Sequence, residues 1–393
     1  MDKVILHIDM NNFYASIETL FHPEYKNVPM AVAGNPKNRH GIILAKNPIA
    51  KEFGIKTAET VFQAQRKCPN LVLLPPHFEH YHAFSQSAKN IYLDYTDQVE
   101  SFGLDECWLD VTGSLKIFES GEYIAETIRN RVKNELGLTV SIGLSFNKTF
   151  AKLGSDYNKY DAITVFSKDT FKNTVWKLPI TDLLFVGKHT AERLHKIGIY
   201  TIGDMAQSDL MKIQKTFGKM GAMLWKNANG LDSDTVSPIS APTTVKTIGN
   251  SMTLAADIWQ IQDVRKNFLS LAETVSARLR HHDQKCREVQ ISIRTSEFTD
   301  IQRQCRIEPS ASDSYTLFRT AMKLYEKERK NLTIRGLGLR AGHLESTNER
   351  QTSLFMDNLG DNRQDLLESA VDSLRDKYGT ASVKKAIFLE NTD

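Results

Sequence analysis

A carboxylate at the end of an apolar run near the N-terminus constrains the fold of this chain most strongly. The run Val4–Ile8 is rich in β-branched and aliphatic residues, which predicts a buried strand that ends at Asp9. A buried carboxylate is costly unless it is paired, hydrogen-bonded or bound to a metal ion. Asp9 is therefore either a cap for the helix predicted from about Asn12 to Leu20 or part of a metal site.

A second acidic pair, Asp105 and Glu106, lies at a corner between two apolar stretches, Val99–Phe102 and Cys107–Val111, that we predict to be strands. Neighbouring residues of an extended chain point to opposite faces, so one of the two acids would be buried unless the corner is an exposed turn. Phosphoryl transfer with two metal ions requires carboxylates from separate elements that converge on ions about 3.5–4 Å apart. Asp9 and this pair satisfy that requirement.

Three lysines follow the next predicted strand. The segment Ser145–Lys159 is typical of a strand that passes into a helix, and Lys148, Lys152 and Lys159 would share one helical face by the 3.6-residue spacing. A cationic face beside an acidic metal site suits a nucleoside triphosphate. A solvated helix face is the alternative.

The order of the predicted elements indicates the fold class. In residues 1–166 the first strand and helix are followed by helices at 80–95 and 121–136 and by strands around 99–111 and 139–144. This βα…αββαβ order predicts a ferredoxin-like α+β core with an insertion after the first helix. Proline and glycine punctuate the insertion, residues 21–77, which predicts short elements there.

Two further regions are predicted in the second half of the chain. Residues 180–230 have a helical pattern with glycine breaks, and the stretch 232–242, rich in Ser, Asp, Thr and Pro, is typical of an interdomain linker. Residues 246–342 predict a second small α+β domain. Its recognisable helix and strands are at 257–281, Val289–Arg294 and Gly336–Leu344.

Charge divides unevenly along the chain, although the net charge is only +3. Residues 1–166 carry 17 basic and 19 acidic residues, a net of −2, whereas residues 243–345 carry 17 and 12, a net of +5. An acidic first half and a basic second half suggest metal chemistry in front and binding of a polyanion behind.

Cysteine usage and hydropathy indicate the compartment. The four cysteines are scattered without a CxxC pair, as expected of free thiols in a reducing cytosol: Cys68, Cys107, Cys286 and Cys305. The N-terminal apolar run is interrupted by His7 and Asp9, so it is no signal peptide. No run approaches the roughly 18 apolar residues of a membrane span. We therefore expect a cytoplasmic protein without membrane contact.

The chain combines three specific motifs, Asp9-x-Asn11-x-Phe13-Tyr14, Leu104-Asp105-Glu106 and Ser145-x-Asn147-Lys148-x-x-Ala151-Lys152. Together they resemble the Y family of DNA polymerases, most closely the bacterial DNA polymerase IV type, over essentially the whole chain. The resemblance implies a ferredoxin-like palm, small fingers, a helical thumb, a linker, an α+β little finger and a tail. Their expected bounds are 1–20 with 78–166, 21–77, 167–233, 234–242, 243–345 and 346–393.

The resemblance also implies site residues. Two catalytic Mg²⁺ ions, for which Mn²⁺ can substitute, would be held by Asp9, Asp105, Glu106 and the Met10 carbonyl. The dNTP would lie against a set of residues in which Tyr14 is the steric gate that excludes a 2′-hydroxyl. That set is Asn11, Asn12, Phe13, Tyr14, Lys51 and Lys159.

The fingers depart from many polymerase IV relatives at three positions. Ala45, Pro48 and Lys51 stand where those relatives have a hydroxyl residue, Tyr and Arg. Lys51 keeps the charge but loses the two-pronged guanidinium, which bears on triphosphate affinity. At this point the chain is similar to the polymerase V catalytic subunit.

DNA contacts are expected in the thumb and the little finger. The segment Leu183–Ile199 resembles a helix-hairpin-helix, which would offer backbone N–H groups at Gly187 and Lys188 to a DNA phosphate, with plain helix packing as the alternative. Phe185 stands where a first glycine is common. In the little finger, Lys246 to Asn250 would follow the duplex backbone without reading sequence.

The tail carries a candidate partner motif. Gln351-Thr352-Ser353-Leu354-Phe355 resembles a bacterial sliding-clamp peptide, in which Gln351, Leu354 and Phe355 would be the anchors. A short tail helix packed on its own protein is the alternative. Residues 363–378 form an amphipathic helical pattern beyond it.

These expectations converge on a monomeric, template-directed DNA polymerase of the translesion type, with low fidelity and primer–template DNA, dNTP and the clamp as partners. A non-catalytic DNA- and clamp-binding repair factor is one rival, and the intact Asp9, Asp105, Glu106, Tyr14 and Lys159 argue against it. A nucleotide cyclase, whose catalytic core has a similar palm, is another. The thumb, the basic domain and the clamp-like peptide argue against the cyclase.

Overall fold

The computed structural model describes residues 2–35, 41–241, 245–328, 332–346 and 361–388. Contacts divide the chain into two compact units: residues 1–35 with 41–242 build the first, and residues 243–393 belong to the second. Within the described residues, no helix is both long and apolar enough to span a membrane.

The first unit begins with a buried strand, β1 (Ile5–Met10), and a helix, α1 (Phe13–Phe21). A small subdomain of short elements follows, in which a three-stranded sheet has the order β3-β2-β4. Its elements are β2 (Met30–Ala33), β3 (Ile43–Lys46), α2 (Pro48–Glu52), α3 (Val61–Lys67) and β4 (Val72–Leu74). This subdomain forms the small fingers.

A five-stranded sheet of order β5-β6-β1-β7-β8 forms the palm, with β1 antiparallel to both neighbours. Its remaining elements are α4 (Phe78–Leu93), β5 (Val99–Ser101), β6 (Glu106–Asp110), α5 (Gly121–Leu136), β7 (Val140–Ser145), α6 (Lys148–Tyr157) and β8 (Ile163–Phe166). One face of the sheet packs on α4 and α5 in an apolar core. The ferredoxin-like palm is confirmed.

Helix α6 lies on the other face of the palm sheet, where its backbone is in direct contact with the backbone of β7. A Cβ added to Gly143 of β7 would lie 1.9 Å from the Ala151 carbonyl oxygen, and a Cβ on Gly154 of α6 would lie 2.9 Å from the Gly143 Cα. Only glycine fits at such a distance, so this pair determines how closely α6 approaches the strands.

The thumb consists of helices around an apolar core to which Phe150, Leu153 and Phe166 of the palm also contribute. They are α7 (Phe171–Thr174), α8 (Lys188–His195), α9 (Ile202–Gln207) and α10 (Leu210–Ala228). The expected linker is held against the first unit: Asp232 accepts from the Thr149 amide at 3.1 Å, and Val236 is buried. Its residues therefore belong to the packed structure up to Ala241, rather than forming a free connection.

The second unit is a four-stranded antiparallel sheet, of order β11-β10-β12-β9, that packs one face on two helices. Its elements are β9 (Thr247–Ile258), α11 (Ile261–His281), β10 (Gln284–Thr295), β11 (Asp300–Ala311), α12 (Ser314–Glu328), β12 (Ile334–Ser346) and α13 (Asp361–Tyr378). The α+β little finger is confirmed, although β9, β11 and α12 were not predicted. The domain bounds given above stay predictions.

The tail helix α13 docks on the little finger through its polar side. Glu368 accepts hydrogen bonds from the Ser314 amide at 3.1 Å and from the Ser276 hydroxyl at 3.0 Å. Arg280 adds an ion pair to Asp372 at 2.7 Å. Apolar side chains of the same helix, Leu366 among them, are exposed.

Candidate active site

The pairing of β1 with β6 brings three acidic residues together at the centre of the palm sheet. Asp9 lies opposite Glu106 in the register, and the Met10 amide donates to the Asp105 carbonyl oxygen over 3.0 Å. Asp9 is the fifth of six residues in β1 and is only 6% exposed. The helix-cap interpretation of Asp9 is wrong, because Asn12 occupies the N-cap position of α1.

Two lysines neutralise these carboxylates. The Lys159 Nζ lies 2.9 Å from the Asp9 Oδ2, and the Lys152 Nζ lies 2.9 Å from the Glu106 Oε2 and 3.5 Å from the Asp9 Oδ2. Asp105 and Glu106 are both half-buried, so the predicted alternative of an exposed turn does not hold for them.

The three lysines do not form the single helical face that the spacing predicted. Helix α6 ends at Tyr157, so Lys159 lies beyond it. Lys148 pairs with Glu100 at 2.6 Å and covers the ring of Trp108, with its Nζ 4.6 Å from the centroid. Lys148 therefore forms an ion pair that does not include Asp9, Asp105 or Glu106.

The net pKa shifts of the three acids differ, because neighbouring charges oppose burial to different extents. Burial and the nearby Asp9 carboxylate raise the pKa of Asp105 to about 6. Burial also acts to raise the pKa of Glu106, but His7 and Lys152 outweigh it and lower that pKa to about 2. Burial raises the pKa of Asp9 as well, against the opposing Lys159 and Lys152. Further positive charge beside Asp105 would favour its ionised form.

The chemistry of the donor set fits a divalent cation. Carboxylate oxygens are the ligands that Mg²⁺ prefers. The buried Glu106 Oε2 makes no hydrogen bond within the part of the chain that the structure describes. Among those residues, no three ligand side chains are already placed as a metal cluster. Two ammonium groups lie against the carboxylates of Glu106 and Asp9.

The residues after β1 divide between core and cleft. Asn11 is buried, with its side chain bonded to Ser141 at 2.9 Å and to Thr139, and Phe13 is buried in the palm core. Asn12 has a left-handed backbone with φ of 49°. Tyr14 is half-buried and is the ring of this group that remains partly accessible.

The fingers reach the palm through Lys51. Its Nζ lies 3.0 Å from the Tyr160 hydroxyl, and Tyr160 follows Lys159 directly. Pro48 begins α2 after the Asn47 cap, so it contributes to the helix start. The structure thus places the Lys51 and Lys159 segments side by side.

A fully buried histidine, His7, was not among the predicted site residues. Its Nδ1 lies 2.8 Å from the Ser155 Oγ, and its Nε2 lies 3.3 Å from the Glu106 Oε2. Burial lowers the pKa of His7 below its usual value, against an opposing effect of Glu106. The signal in the sequence was a polar residue two positions before Asp9 in an otherwise apolar run.

The thumb has the expected hairpin of helices. Gly187 is the N-cap of α8, which begins at Lys188. Phe185 adopts a φ of 71° and is 53% exposed, so the residue at the position where glycine is common keeps the left-handed backbone that glycine favours. The amides at the start of α8 remain a predicted phosphate contact.

The predicted residues of the second unit lie at one edge of its sheet. Lys246 precedes β9, and both it and Asn250 are exposed. Asn250 pairs with Leu339 in the register and so points toward the helix-covered side, whereas Arg340 pairs with Gly249 on the open side. The clamp-like residues Gln351, Leu354 and Phe355 lie outside the described residues.

Three family models match the chain. They are described as the impB/mucB/samB family over residues 8–156, its C-terminal domain over residues 245–354, and the thumb domain of DNA polymerase-iota over residues 181–232. A solved Y-family DNA polymerase chimera of Dbh and Dpo4 has the same fold, with a TM-score of 0.76 at 21% identity, and the match covers 86% of this chain and 98% of that one.

Curated relatives match over the full length. A protein of Acetivibrio thermocellus is 44% identical, and the match covers 100% of this chain and 98% of the relative. A protein of Clostridium acetobutylicum is 35% identical with both chains fully covered, and one of Bacillus subtilis is 34% identical over 100% of this chain and 94% of its own.

The fold and these matches define the class: the chain belongs to the impB/mucB/samB family of Y-family DNA polymerases. The relatives from Acetivibrio thermocellus and Clostridium acetobutylicum are both named DNA polymerase IV, and the one from Bacillus subtilis is named DNA polymerase IV 1.

Proposed function

We propose that this polymerase adds dNTPs to a primer 3′-hydroxyl on a DNA template by two-metal-ion nucleotidyl transfer, with low fidelity and tolerance of template lesions. The observation that carries the proposal is the placement of Asp9 and Glu106 on adjacent strands and of Asp105 directly before Glu106. Lys152 and Lys159 lie against Glu106 and Asp9. Carboxylates on separate strands beside cations are what phosphoryl transfer to a polyanionic substrate requires.

Each residue has a distinct task. Asp9, Asp105 and Glu106, with the Met10 carbonyl, would hold two Mg²⁺ ions, which supply charge neutralisation and activation of the primer hydroxyl when bound. Lys159 and Lys51 bind the triphosphate; the Lys51 Nζ lies 3.0 Å from the hydroxyl of Tyr160, the residue that follows Lys159. Tyr14 packs against the deoxyribose and excludes the 2′-hydroxyl of a ribonucleotide.

The short fingers support lesion tolerance. Between Met30 and Leu74 no strand exceeds four residues and no helix exceeds seven within the described chain. A lid of such small elements covers little of the nascent base pair, so it places few steric demands on the template base. The N-terminus of α8 and the strand edge at Lys246 would hold the DNA backbone, and the polymerase would act as a monomer.

Primer extension with Mg²⁺ on undamaged and abasic templates tests the proposal. We expect Asp105→Asn and Glu106→Gln to reduce extension at least about 10²–10³-fold, the usual effect of losing one electrostatic contact to a transition state. Asp94→Asn is the matched control, because this exposed carboxylate pairs with Arg131 at 2.7 Å on the palm surface. Extension within tenfold of wild type by both site variants would contradict the proposal, and failure only on abasic templates would contradict lesion tolerance.

A further inference from the structure

Lys51 of the fingers binds a neutral group of the palm. Its Nζ atom donates a hydrogen bond to the Tyr160 hydroxyl over 3.0 Å, and it lies 5.1 Å from the centre of the same ring. Within the part of the chain that the structure describes, Lys51 forms no ion pair with a carboxylate. A phenol does not neutralise an ammonium group, so Lys51 keeps its full positive charge in this contact.

A second lysine adds positive charge at this edge of the fingers. Lys46, the last residue of β3, donates to the Thr57 hydroxyl over 3.1 Å and likewise forms no ion pair among the described residues. Burial and then the charge of Lys51 lower the pKa of Lys46 below its usual value, so the two ammonium groups are close enough to repel each other. A polyanion bound beside them would relieve this repulsion.

The chain on both sides of Tyr160 is held by other parts of the palm. On one side, Lys159 is paired with Asp9, with the Nζ and Oδ2 atoms 2.9 Å apart. On the other side, the Asp161 carbonyl oxygen accepts a hydrogen bond from the Arg129 guanidinium of α5 over 2.8 Å. Tyr160 therefore projects from a short segment that is fixed at both ends, and a fixed group loses little freedom when it binds a ligand.

The hydrogen bonds of Tyr160 leave its own proton available. A phenol hydroxyl has one proton and two lone pairs, and an ammonium group can only donate. Lys51 therefore occupies a lone pair of the hydroxyl, and the described residues contain no acceptor for the hydroxyl proton. Hydrogen bonds in a chain polarise one another, so a phenol that accepts from a cation is a stronger donor. The hydroxyl can thus donate to an anionic oxygen that binds beside Lys51.

We propose that Tyr160 binds the triphosphate of the incoming nucleotide, with its hydroxyl donating to a phosphate oxygen while it accepts from Lys51. A triphosphate fits because it brings several acceptor oxygens and negative charge to lysines that no described carboxylate pairs with. This inference rests on the proposed function, since it needs a dNTP to bind at Lys51 and Lys159. It assigns to Tyr160 no proton transfer and no contact with the base or the sugar.

Two substitutions that each remove one phenol hydroxyl form a matched pair. Tyr160→Phe removes the hydroxyl that accepts from Lys51 and keeps the ring. Tyr157→Phe is the control, because this tyrosine at the end of α6 is 46% exposed and its ring packs edge-on against Phe166 of β8, with centroids 5.6 Å apart. The control changes the same end of α6 without changing the contact between Lys51 and Tyr160.

The measurement is the Kd of the matching dNTP, followed by the quenching of a fluorescent template base in the presence of Mg²⁺. The full chain is bound to a dideoxy-terminated primer–template, so that no chemistry occurs. We expect Tyr160→Phe to raise this Kd about tenfold, the usual effect of losing a hydrogen bond to a charged group. Tyr157→Phe should leave it unchanged. Both variants should keep the melting temperature and the Kd for the primer–template of the wild type, which excludes a loss of fold as the cause.

A double-mutant cycle with Lys51→Met tests whether the phenol acts together with the ammonium group. Because Lys51 polarises the phenol, removal of the hydroxyl should raise the Kd less in the Lys51→Met background than in the wild-type background. Equal increases in the two backgrounds would contradict the proposal. The ratio of kcat/KM for dNTP to that for the matching rNTP should not change in Tyr160→Phe, because both nucleotides carry the same triphosphate.

A folded Tyr160→Phe variant that binds dNTP as tightly as the wild type, or more tightly, would overturn the inference, because the hydroxyl would then only hold Lys51 away from the nucleotide. A changed ratio of dNTP to rNTP would also overturn it, since the ring would then act on the sugar. Asp105→Asn and Glu106→Gln separate this failure from that of the proposed function. If they abolish extension while Tyr160→Phe binds dNTP normally, only the role of Tyr160 is lost. If they extend primers as the wild type does, the proposed function itself fails.

Discussion

The ring of Tyr14 lies flat on the ring of Tyr81, with centroids 4.1 Å apart and planes 9° apart. Tyr81 is fully buried, and its hydroxyl donates to the buried Glu18. Tyr14 is therefore held by a neighbour that cannot move easily, and a rigid ring is what a steric filter needs.

This stacking makes the proposed steric gate at Tyr14 testable. Tyr14→Ala should admit ribonucleotides, because the clash with a 2′-hydroxyl disappears with the ring. Tyr14→Phe keeps the ring and should keep the discrimination. The measurement is the ratio of kcat/KM for dNTP to that for the matching rNTP, and an unchanged ratio in Tyr14→Ala would place the gate at another residue.

The raised pKa of Asp105 predicts a conflict between stability and activity. The folded-state pKa of about 6 lies above the unpaired value of 3.8, so the fold holds the proton more tightly than the unfolded chain does. The resulting loss of stability is complete above pH 6 and disappears below the unfolded pKa. It amounts to about 3 kcal/mol at most, from roughly 1.4 kcal/mol per pKa unit.

Asp105→Asn should therefore melt a few degrees higher than wild type at pH 8 in the absence of metal, while losing polymerase activity. The difference in melting temperature should shrink as the pH is lowered from 8 to 4. Thermal unfolding followed by circular dichroism provides the measurement. A variant that melts below wild type at pH 8 would contradict the assigned cause.

The partners of Lys148 and Lys159 predict different consequences for the nucleotide. Lys159→Met should raise the KM for dNTP about tenfold or more, since a contact to a charged group is worth about 1.5–3 kcal/mol. Lys148→Met also removes one positive charge, but this lysine is paired with Glu100. The substitution should therefore change the KM for dNTP little. Steady-state kinetics distinguish the two. Equal effects would mean that the lysines act only through the general field of the palm.

The proposed clamp-binding motif, Gln351–Phe355, predicts a defect that depends on the partner. Changing Leu354 and Phe355 to Ala should leave extension of a short primer nearly unchanged and remove stimulation by a loaded sliding clamp. Tethering raises effective concentration and can increase apparent affinity ~10²–10⁴-fold without touching the active site.

The matched control for the clamp experiment is Leu366→Ala with Leu374→Ala, because both side chains are exposed on α13. If the control loses stimulation and the motif variant keeps it, the clamp contact lies on the tail helix instead.

The palm and its acids were predictable because period and chemistry coincide there. The helix predicted at 121–136 was found at Gly121–Leu136, where Ser120 caps the start and Gly137 ends it. The strand that carries Asp9 is displaced by only one or two residues from its predicted position. It begins at Ile5 instead of Val4 and ends at Met10. Elements whose ends are set by such local sequence signals can be predicted without knowledge of the tertiary structure.

Contacts between distant segments could not be predicted. The spacing of Lys148 and Lys159 says nothing about Glu100 or about the end of α6 at Tyr157. In the little finger, β11 is exposed over most of its length and alternates too weakly to stand out as a strand. Its place is decided by pairing with β10, which lies outside any local window.

Gly143 and Gly154 shape the candidate active site although neither has a side chain. They determine how near α6 lies to the strands, and α6 carries both Lys152 and Ser155. A methyl group at either position would move that helix outward, away from the acids and His7. A substitution at either glycine would therefore inactivate the enzyme even though all the acidic residues and lysines of the site are still present.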